Sequence, residues 1–194
     1  MDDLVSRALD LSKVQGAGYA DIRIVRTSQE RISVRSGVVD TLSCDESLGF
    51  GVRVLVNGCW GFASSHDITS KEVDRVTALA VNIAKASATL SKGAVNLGPP
   101  VTSRGTYTTP IEEDPFTIST DHKLALLMDA DQRMASVKGI RSRQGNLIFI
   151  KEEKTFANSE GAHVEQTVYE AGGGISANAV GNNEIQRRSY PQSM

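Results

Sequence analysis

Residues 48–65 narrow the possible folds more than any other stretch, because they read as two β-strands joined by the tight turn Asn57-Gly58. From position 52 to position 56 valine alternates with a different side chain, which is the period-two pattern of a strand with one buried face. Asn-Gly is the preferred pair for a type I′ turn, since both central residues take positive φ. The chain is therefore predicted to contain an antiparallel hairpin, and its fold must accommodate a sheet.

Gly49 and Gly51 stand near the start of this hairpin in a Gly-x-Gly pattern. Such spacing also occurs in nucleotide-binding loops, but there it leads into a helix. Here it runs directly into a strand, so the phosphate-binding interpretation fails. The two glycines are expected to relieve a bend or a bulge in a twisted strand.

Four short motifs, taken in order, resemble the N-terminal domain of the TldD/PmbA family. They are Ala-Asp-Ile-Arg-Ile-Val at 20–25, Gly-Phe-Gly-Val-Arg-Val at 49–54 with its Asn-Gly turn, Trp-Gly-Phe-Ala-Ser at 60–64 and Arg-Ser-Tyr-Pro at 188–191. The last of them is similar to the TldD branch. Members of this family are cytoplasmic zinc peptidases or subunits of them, and were first described as modulators of DNA gyrase. The resemblance spans most of the chain.

Helix and strand signals follow one another along the first half of the chain. An apolar stripe over 4–11 predicts a helix that ends at Gly16 or Gly18, followed by strands at 20–27, 30–36 and 38–46 and then the hairpin. Thr69-x-x-Glu72 has the spacing of a capping box, which predicts a second helix to about Leu90. Glycine, proline, serine and threonine then predominate, so residues 92–118 are predicted to form a linker.

The second half is predicted to repeat the first. Thr120 is expected to cap a helix over 121–136, and strands are expected at 138–144, 146–157, 162–171 and 174–180. The side chains of that helix predicted to point inward are Leu124, Leu127, Met128 and Met134. The same order of elements thus recurs in residues 1–91 and 119–190. We expect an α+β fold over residues 1–194, in which two similar units, each a helix with an antiparallel or mixed sheet, pack as one domain.

Composition and charge argue against several classes of protein. The net charge is −2 and the basic residues are scattered, which is unlike a nucleic-acid-binding surface. Residues 1–7 do not resemble a signal peptide, and no apolar run approaches the length of a membrane span. Cys44 and Cys59 are expected to be reduced thiols in a cytoplasmic protein. Neither nucleic acid nor a membrane is predicted as a partner.

The sequence contains none of the familiar motifs for hydrolysis or metal binding, such as His-Glu-x-x-His, Cys-x-x-Cys or Gly-x-Ser-x-Gly. His66 and Asp67 are neighbours at a strand end, where their side chains diverge, so a turn or cap is expected there. His163 and Glu165 share a strand face and could bind a metal weakly, although an exposed polar pair is the ordinary explanation. Carboxylates next to Cys44 disfavour the thiolate that a nucleophile requires. No catalytic residue and no metal ligand is predicted in this chain.

The resemblance to the family offers a reason for this result. In the family, a helix with the pattern His-Glu-x-x-x-His follows the N-terminal domain, and a distant cysteine completes the zinc site. The sequence reaches residues 192–194 before such a segment, so the C-terminal zinc domain is expected to be absent and no cofactor is expected here. The resemblance implies that these residues form part of the wall of a closed peptide-processing chamber. It also implies pairing with a family member in a homo- or hetero-oligomer.

Arg187, Arg188 and Tyr190 are the candidate substrate-binding residues. Two guanidiniums beside a tyrosine could hold a peptide carboxylate or a peptide backbone. The alternative is a solvated strand end that leads to an interdomain linker, because charged residues commonly protect sheet edges.

Two functions from different classes are consistent with the sequence. The chain is predicted to be the non-catalytic N-terminal domain of a zinc metallopeptidase that processes small or unfolded peptides, in either the zinc-bearing TldD branch or the zinc-free partner branch. Alternatively, it is a stand-alone peptide-binding or assembly module with no enzymatic activity. A weaker third hypothesis is an isolated enzyme with an unrecognised site, which would hydrolyse peptides without zinc.

Overall fold

The computed structural model describes residues 1–89, 93, 95–181 and 183–191, and within them the chain forms three helices and seven strands. In chain order these are α1 (Asp2–Val14), β1 (Tyr19–Arg35), β2 (Val38–Val56), β3 (Cys59–Ser65), α2 (Ser70–Ala88), β4 (Arg104–Thr108), α3 (Thr120–Ala135), β5 (Ile140–Asn158), β6 (His163–Gly181) and β7 (Glu184–Tyr190). The predicted α+β class is confirmed. Of the described helices, none combines the length and the apolar character that crossing a membrane requires.

The seven described strands form one mixed sheet in the order β3-β2-β1-β5-β6-β4, and β7 also pairs with β6. β2 and β3 form the predicted antiparallel hairpin, whose paired residues begin with Phe50 opposite Ser65. The turn between them has the positive φ values of type I′, 49° at Asn57 and 78° at Gly58. β4 lies parallel to β6, whereas β7 is antiparallel to it.

The chain divides into two compact units, each made of three separate stretches. Unit 1 consists of residues 1–27, 47–108 and 152–167, and unit 2 of residues 28–46, 109–151 and 168–194. β1, β2, β5 and β6 therefore contribute residues to both units. The sequence repeat of 1–91 and 119–190 stays a prediction. Some predicted features lie outside the described residues, namely the helix end at Leu90, Ser91, the start of the linker at 92, the turn residue Asn182 and the terminal residues 192–194.

The core of unit 1 lies between its strands and the helices α1 and α2. Alternate residues of β1 and β2 are buried there together with one face of each helix, including Ile22, Ile24, Val52, Val54, Val5, Ala8, Val76 and Ala80. The predicted cap of α2 is confirmed, because the Thr69 hydroxyl accepts a hydrogen bond from the Glu72 backbone N–H at 3.3 Å. The apolar stripe that the sequence shows on each helix therefore faces this core.

Glycine at position 61 allows β3 to approach α2 closely. A Cβ atom there would lie 2.0 Å from the Ala80 carbonyl oxygen and 2.6 Å from the Ala84 nitrogen. At position 51 a Cβ would lie 2.8 Å from the ring of Phe62. β2 continues without interruption through Gly51, where the sequence had suggested a bend or bulge. The absence of a side chain at Gly51 instead makes room for the ring of Phe62.

Several predicted strand boundaries are wrong. β1, β2, β5 and β6 each continue through a predicted break, because each is hydrogen-bonded to neighbouring strands of the sheet and this pairing overrides local turn signals. β4 was not predicted at all and lies within the predicted linker 92–118. Its five residues are all exposed, so no alternation of apolar and polar residues marks it as a strand.

In unit 2, one face of α3 contacts the strands and is partly apolar and partly charged. Leu127 is buried and belongs to a small core with Ile32 and Val34, against which Leu124 packs. Met134 was predicted to point inward and is half-buried. Met128 is 40 % exposed, so its predicted inward position is wrong. Lys123 and Asp131 are buried in this face, and each is paired with an oppositely charged partner on a strand.

The cap of α3 also differs from the prediction. Ser119 precedes the helix, and its hydroxyl accepts a hydrogen bond from the His122 backbone N–H at 3.3 Å. Thr120, the predicted cap, is the first helical residue. Both residue types are good caps, and the extended backbone at Ser119, with φ −62° and ψ 145°, decides which one serves.

Candidate functional site

The three predicted substrate-binding residues lie on β7, whose residues are all exposed. In its register with β6, Arg187 stands opposite Asn178 and Arg188 opposite Ala177. Because side chains alternate along a strand, Arg188 and Tyr190 share one face and Arg187 lies on the other. The structure therefore does not bring the two guanidiniums together beside the tyrosine.

Arg188 and Tyr190 present a cation and an aromatic ring on the same exposed face. The Arg188 Nη1 atom donates hydrogen bonds to the Arg187 carbonyl oxygen at 2.9 Å and to Gln186 Oε1 at 3.4 Å. Tyr190 is 76 % exposed. Among the described strands β7 is paired with β6 alone. Its outer edge can therefore accept hydrogen bonds from, and donate them to, an added extended chain.

Arg187 lines a small cavity on its own face of the sheet. The cavity has a volume of about 120 Å³, and its lining includes Ser142 of β5 and Asn178 of β6. Asn178 Nδ2 donates a hydrogen bond to Ser142 Oγ at 2.8 Å. Because these residues come from separate strands, the sequence alone does not show that they meet.

A larger cavity of about 580 Å³ in unit 2 lies beside α3 and includes the exposed thiol of Cys44 in its lining. Glu30 and Lys123 form a buried ion pair in its wall. The Lys123 ammonium also lies 4.7 Å from the centre of the Phe149 ring, a cation–π contact. The ion pair and the ring together occupy the Lys123 ammonium, so this lysine has a structural role in the wall.

Tyr169 also lies in unit 2 and donates a hydrogen bond from its hydroxyl to Asp114 Oδ2 at 3.0 Å. Desolvation, followed by the bond to Asp114, raises the pKa of Tyr169. The Lys151 ammonium lies 5.7 Å from the centre of the tyrosine ring. A tyrosine held in its neutral form in this way is a hydrogen-bond donor, not a base.

Three of the four motifs that carry the family resemblance meet around a buried carboxylate in unit 1. Asp21 is 1 % exposed, and it accepts a hydrogen bond from Arg53 Nε at 2.8 Å. The Arg53 guanidinium lies 4.5 Å from the centre of the Trp60 ring, and Tyr19 meets that ring edge-on at 5.8 Å. Burial, followed by the negative charge of Asp21, raises the pKa of Tyr19. A buried, fully paired carboxylate of this kind fixes β1, β2 and β3 relative to each other and offers no free catalytic group.

Among the described residues, one group of side chains is close enough to share a metal ion. It consists of His163, Glu165 and Asp2, and the His163 Nε2 atom lies 3.9 Å from an oxygen of each carboxylate. The side chains of Asp2 and Glu165 are 80 % and 55 % exposed. One imidazole with two solvated carboxylates does not fit a catalytic zinc site, which holds its ligands rigidly in a protected pocket. The predicted polar pair of His163 and Glu165 is the simpler description.

His66 and Asp67 lie in a bend just after β3. The Asp67 backbone N–H donates a hydrogen bond to Ser65 Oγ at 3.2 Å, as in the turn that the sequence predicts. Cys44 and Cys59 are both free thiols. Cys44 is exposed, whereas Cys59 is buried in the hairpin and behaves as a small packing residue.

Comparison with known proteins gives two matches to family models, one for each part of the chain. Residues 20–84 match the model of the PmbA/TldA metallopeptidase domain 1, and residues 113–193 match that of the PmbA/TldA metallopeptidase central domain. The matched stretches contain Asp21, Arg53 and Trp60 as well as all of β7. The order of the two models along the chain agrees with the order of the motifs in the sequence.

Two curated archaeal relatives are both named as metalloproteases. The one from Methanothermobacter thermautotrophicus is 29 % identical over 147 residues, which cover 76 % of this chain and 31 % of the relative. The one from Methanocaldococcus jannaschii is 26 % identical over 161 residues, which cover 81 % of this chain and 36 % of the relative. The chain thus spans about a third of the length of these relatives.

Solved structures share the fold at low sequence identity. TldE from Thermococcus kodakarensis is similar with a TM-score of 0.76 and 14 % identity, covering 96 % of this chain and 42 % of that one. A candidate modulator of DNA gyrase from Bacteroides thetaiotaomicron gives a TM-score of 0.75 with 15 % identity, covering 97 % of this chain and 43 % of that one. At such identities the likeness concerns the fold alone.

Proposed function

Because the chain belongs to the TldD/PmbA metallopeptidase family, we propose that it is the non-catalytic N-terminal part of a zinc metallopeptidase that processes small or unfolded peptides. The observation that carries this proposal is the ordered match to domain 1 and to the central domain, within a chain that spans about a third of two metalloproteases. The described residues do not fit a catalytic zinc, so no catalytic step is assigned to them. The Arg188-Ser-Tyr-Pro191 motif favours the TldD branch for the whole protein.

In this proposal the exposed edge of β7 receives an extended peptide. Main-chain hydrogen bonds from an added strand give affinity without requiring a particular sequence, which suits unfolded substrates. Arg188 and Tyr190 then contact the side chains or a carboxylate of that peptide from one face of the strand. The chain as a whole contributes to the wall of a cytoplasmic chamber and pairs there with another family member.

Peptide binding by the purified chain tests the proposal directly. A panel of fluorescently labelled, unstructured peptides is titrated with the chain, anisotropy reports binding, and chromatography with and without added zinc reports cleavage. We expect binding without cleavage. Replacing Arg188 and Tyr190 together by alanine should weaken binding about tenfold or more, because exposed arginine and tyrosine side chains dominate many recognition surfaces.

Arg141→Ala is the matched control for this experiment, since Arg141 is exposed on β5 and lies outside β7. Cleavage of a peptide by this chain alone would contradict the non-catalytic assignment. Absence of binding to every peptide would contradict the role of β7. Binding that Arg141→Ala weakens as much as the double replacement would show that overall charge, not the β7 surface, attracts the peptide.

A further inference from the structure

The cavity beside Arg187 lies on the face of the unit 2 strands that points away from α3. On β5, a Cβ at Gly145 would lie 3.0 Å from Leu127 Cδ2 of α3, so this residue faces the helix. Side chains alternate along a strand, so Ser142 and Gln144 lie on the opposite face of β5 and point away from the helix. On β1, Val34 is buried with Leu127, which places Arg35 on the face away from α3 as well. These side chains and Arg187 border the same cavity.

Every side chain in the lining of this cavity is either positively charged or neutral and polar. The lining consists of Arg35, Ser142, Arg143, Gln144, Ser176, Asn178 and Arg187, with no carboxylate. The Arg143 side chain lies on the same face of β5 as Gly145, towards α3, where its Nε atom donates a hydrogen bond to Asp131 Oδ1 at 3.1 Å. Arg143 therefore borders the cavity through its backbone. Arg35 and Arg187 are thus the two guanidiniums that face the cavity.

The Arg187 guanidinium has no ion pair or hydrogen bond to another described side chain. Arg35 is only loosely held, since its Nη2 atom lies 3.5 Å from Asp40 Oδ2, the long limit for a hydrogen bond. Both cations are therefore available to a ligand. A ligand that replaces the water around them must supply negatively charged acceptor oxygens, because a guanidinium offers donors alone.

The neutral groups of the lining add donors beside the two arginines. Ser142 Oγ accepts a hydrogen bond from Asn178 Nδ2 at 2.8 Å, and this leaves the serine hydroxyl hydrogen free to donate towards the cavity. The volume of about 120 Å³ equals roughly four water molecules at about 30 Å³ each. A carboxylate or phosphate group fits such a space.

We propose that this cavity binds a small oxyanion, a carboxylate or phosphate group, through the guanidiniums of Arg35 and Arg187 and the hydroxyl of Ser142. The proposal goes beyond the metallopeptidase assignment and does not depend on it. The oxyanion has two possible sources, free phosphate in solution or the C-terminal carboxylate of a peptide. Both present the charged oxygens that a guanidinium fork recognises.

Calorimetric titration of the full chain at constant ionic strength tests the proposal. The probes are inorganic phosphate and a short peptide in two forms, one with a free C-terminal carboxylate and one amidated. We expect saturable binding of at least one oxyanion, weakened about 10- to 100-fold by Arg187→Gln, because a hydrogen bond to a charged group contributes that much to affinity. Arg141→Gln, with the same loss of charge on the opposite face of β5, should leave this binding unchanged.

The outcomes separate the two sources and can overturn the proposal. Tighter binding of the free-carboxylate peptide than of its amidated form identifies a peptide C-terminus, whereas phosphate binding with no difference between the peptides identifies a free anion. Absence of saturable binding of all three probes would overturn the site. Equal weakening by Arg187→Gln and Arg141→Gln would also overturn it, since the effect would then be one of overall charge. Far-ultraviolet circular dichroism of both variants checks that they are folded.

Discussion

Lys123 and Glu30 show how a charged residue comes to occupy a helix face that points inward. The side chains are 4 % and 6 % exposed, so both charges have lost most of their contact with water. Their mutual attraction and the Phe149 ring near the ammonium offset that loss. The two residues are 93 positions apart in the sequence, which is why periodicity on α3 alone does not predict the pair.

Lys123→Met should destabilise the chain by about 3–5 kcal/mol, because it leaves the Glu30 carboxylate buried without its partner. Urea unfolding followed by circular dichroism measures the change. Replacing Glu30 and Lys123 together by methionine is the control, and the loss should then be much smaller, since no charge remains buried. If Lys123→Met lowered the free energy of unfolding no more than the double replacement does, the two charges would not be coupled.

Glu72 gives the chain a pH dependence whose sign can be worked out. Hydrogen bonds, first from Arg75 and then from Ser65, lower the pKa of Glu72 from 4.5 to about 2. The unfolded chain therefore takes up this proton first as the pH falls. The contribution of Glu72 to stability is complete above about pH 4.5 and is lost as the pH falls towards 2.

Urea midpoints at pH 6 and pH 3 should therefore differ more for the native chain than for Glu72→Gln, which has no charge to lose. Glu112→Gln is a suitable control, because Glu112 is an exposed carboxylate in the segment before α3. This control should keep the pH dependence of the native chain. If the urea midpoint fell by the same amount between pH 6 and pH 3 in the native chain and in Glu72→Gln, Glu72 would be ruled out as the source of the pH dependence.

At the scale of the elements, the contact between β3 and α2 depends on Gly61. Gly61→Ala would place a methyl group against the backbone of Ala80 and Ala84, and neither atom can move without shifting the helix. We expect a loss of about 1–3 kcal/mol in unfolding free energy, the range for overpacked sites. Gly181→Ala is the control: nothing lies within 4 Å of its added Cβ, so its effect should stay within about 0.5 kcal/mol. Equal effects of the two substitutions would contradict the close approach.

Elements with local signals are predicted from the sequence, and elements held by distant partners are not. The turn at Asn57-Gly58 and the cap at Thr69 depend on residues within a few positions, and both are found as predicted. β4 has only exposed residues and takes its hydrogen bonds from β6, more than fifty positions later, so nothing local marks it. The long strands likewise depend on their neighbours in the sheet to continue through glycine-rich stretches.

The candidate site follows the same division. The sequence indicates that Arg187, Arg188 and Tyr190 are unusual, and the alternation of β7 then places Arg187 on the opposite face from the other two. The cavity beside Arg187 combines residues of β1, β5, β6 and β7. Sequence reasoning missed Arg35, Ser142 and Asn178, and the only signal for them is the register of strands far apart in the chain.

For the whole molecule, the proposal predicts what the gene encodes after the codon for Met194. We expect an open frame that includes a helix with His-Glu-x-x-x-His, because the metalloprotease relatives are about three times as long as the matched region. Sequencing the source gene measures this. A frame that continues without the motif would point to the zinc-free partner branch. A stop codon would contradict the proposal and favour a stand-alone binding or assembly module.

Four strands contribute residues to both units, and this limits how the chain can be shortened. Unit 1 needs residues 152–167 in addition to residues near the start, and unit 2 needs residues 28–46 in addition to those near the end. No single cut therefore yields one unit intact, and a fragment ending at residue 108 would leave strands without their neighbours. Deletion mapping from either end would then confuse loss of folding with loss of a binding site. Point substitutions on chosen strand faces are the appropriate way to assign function here.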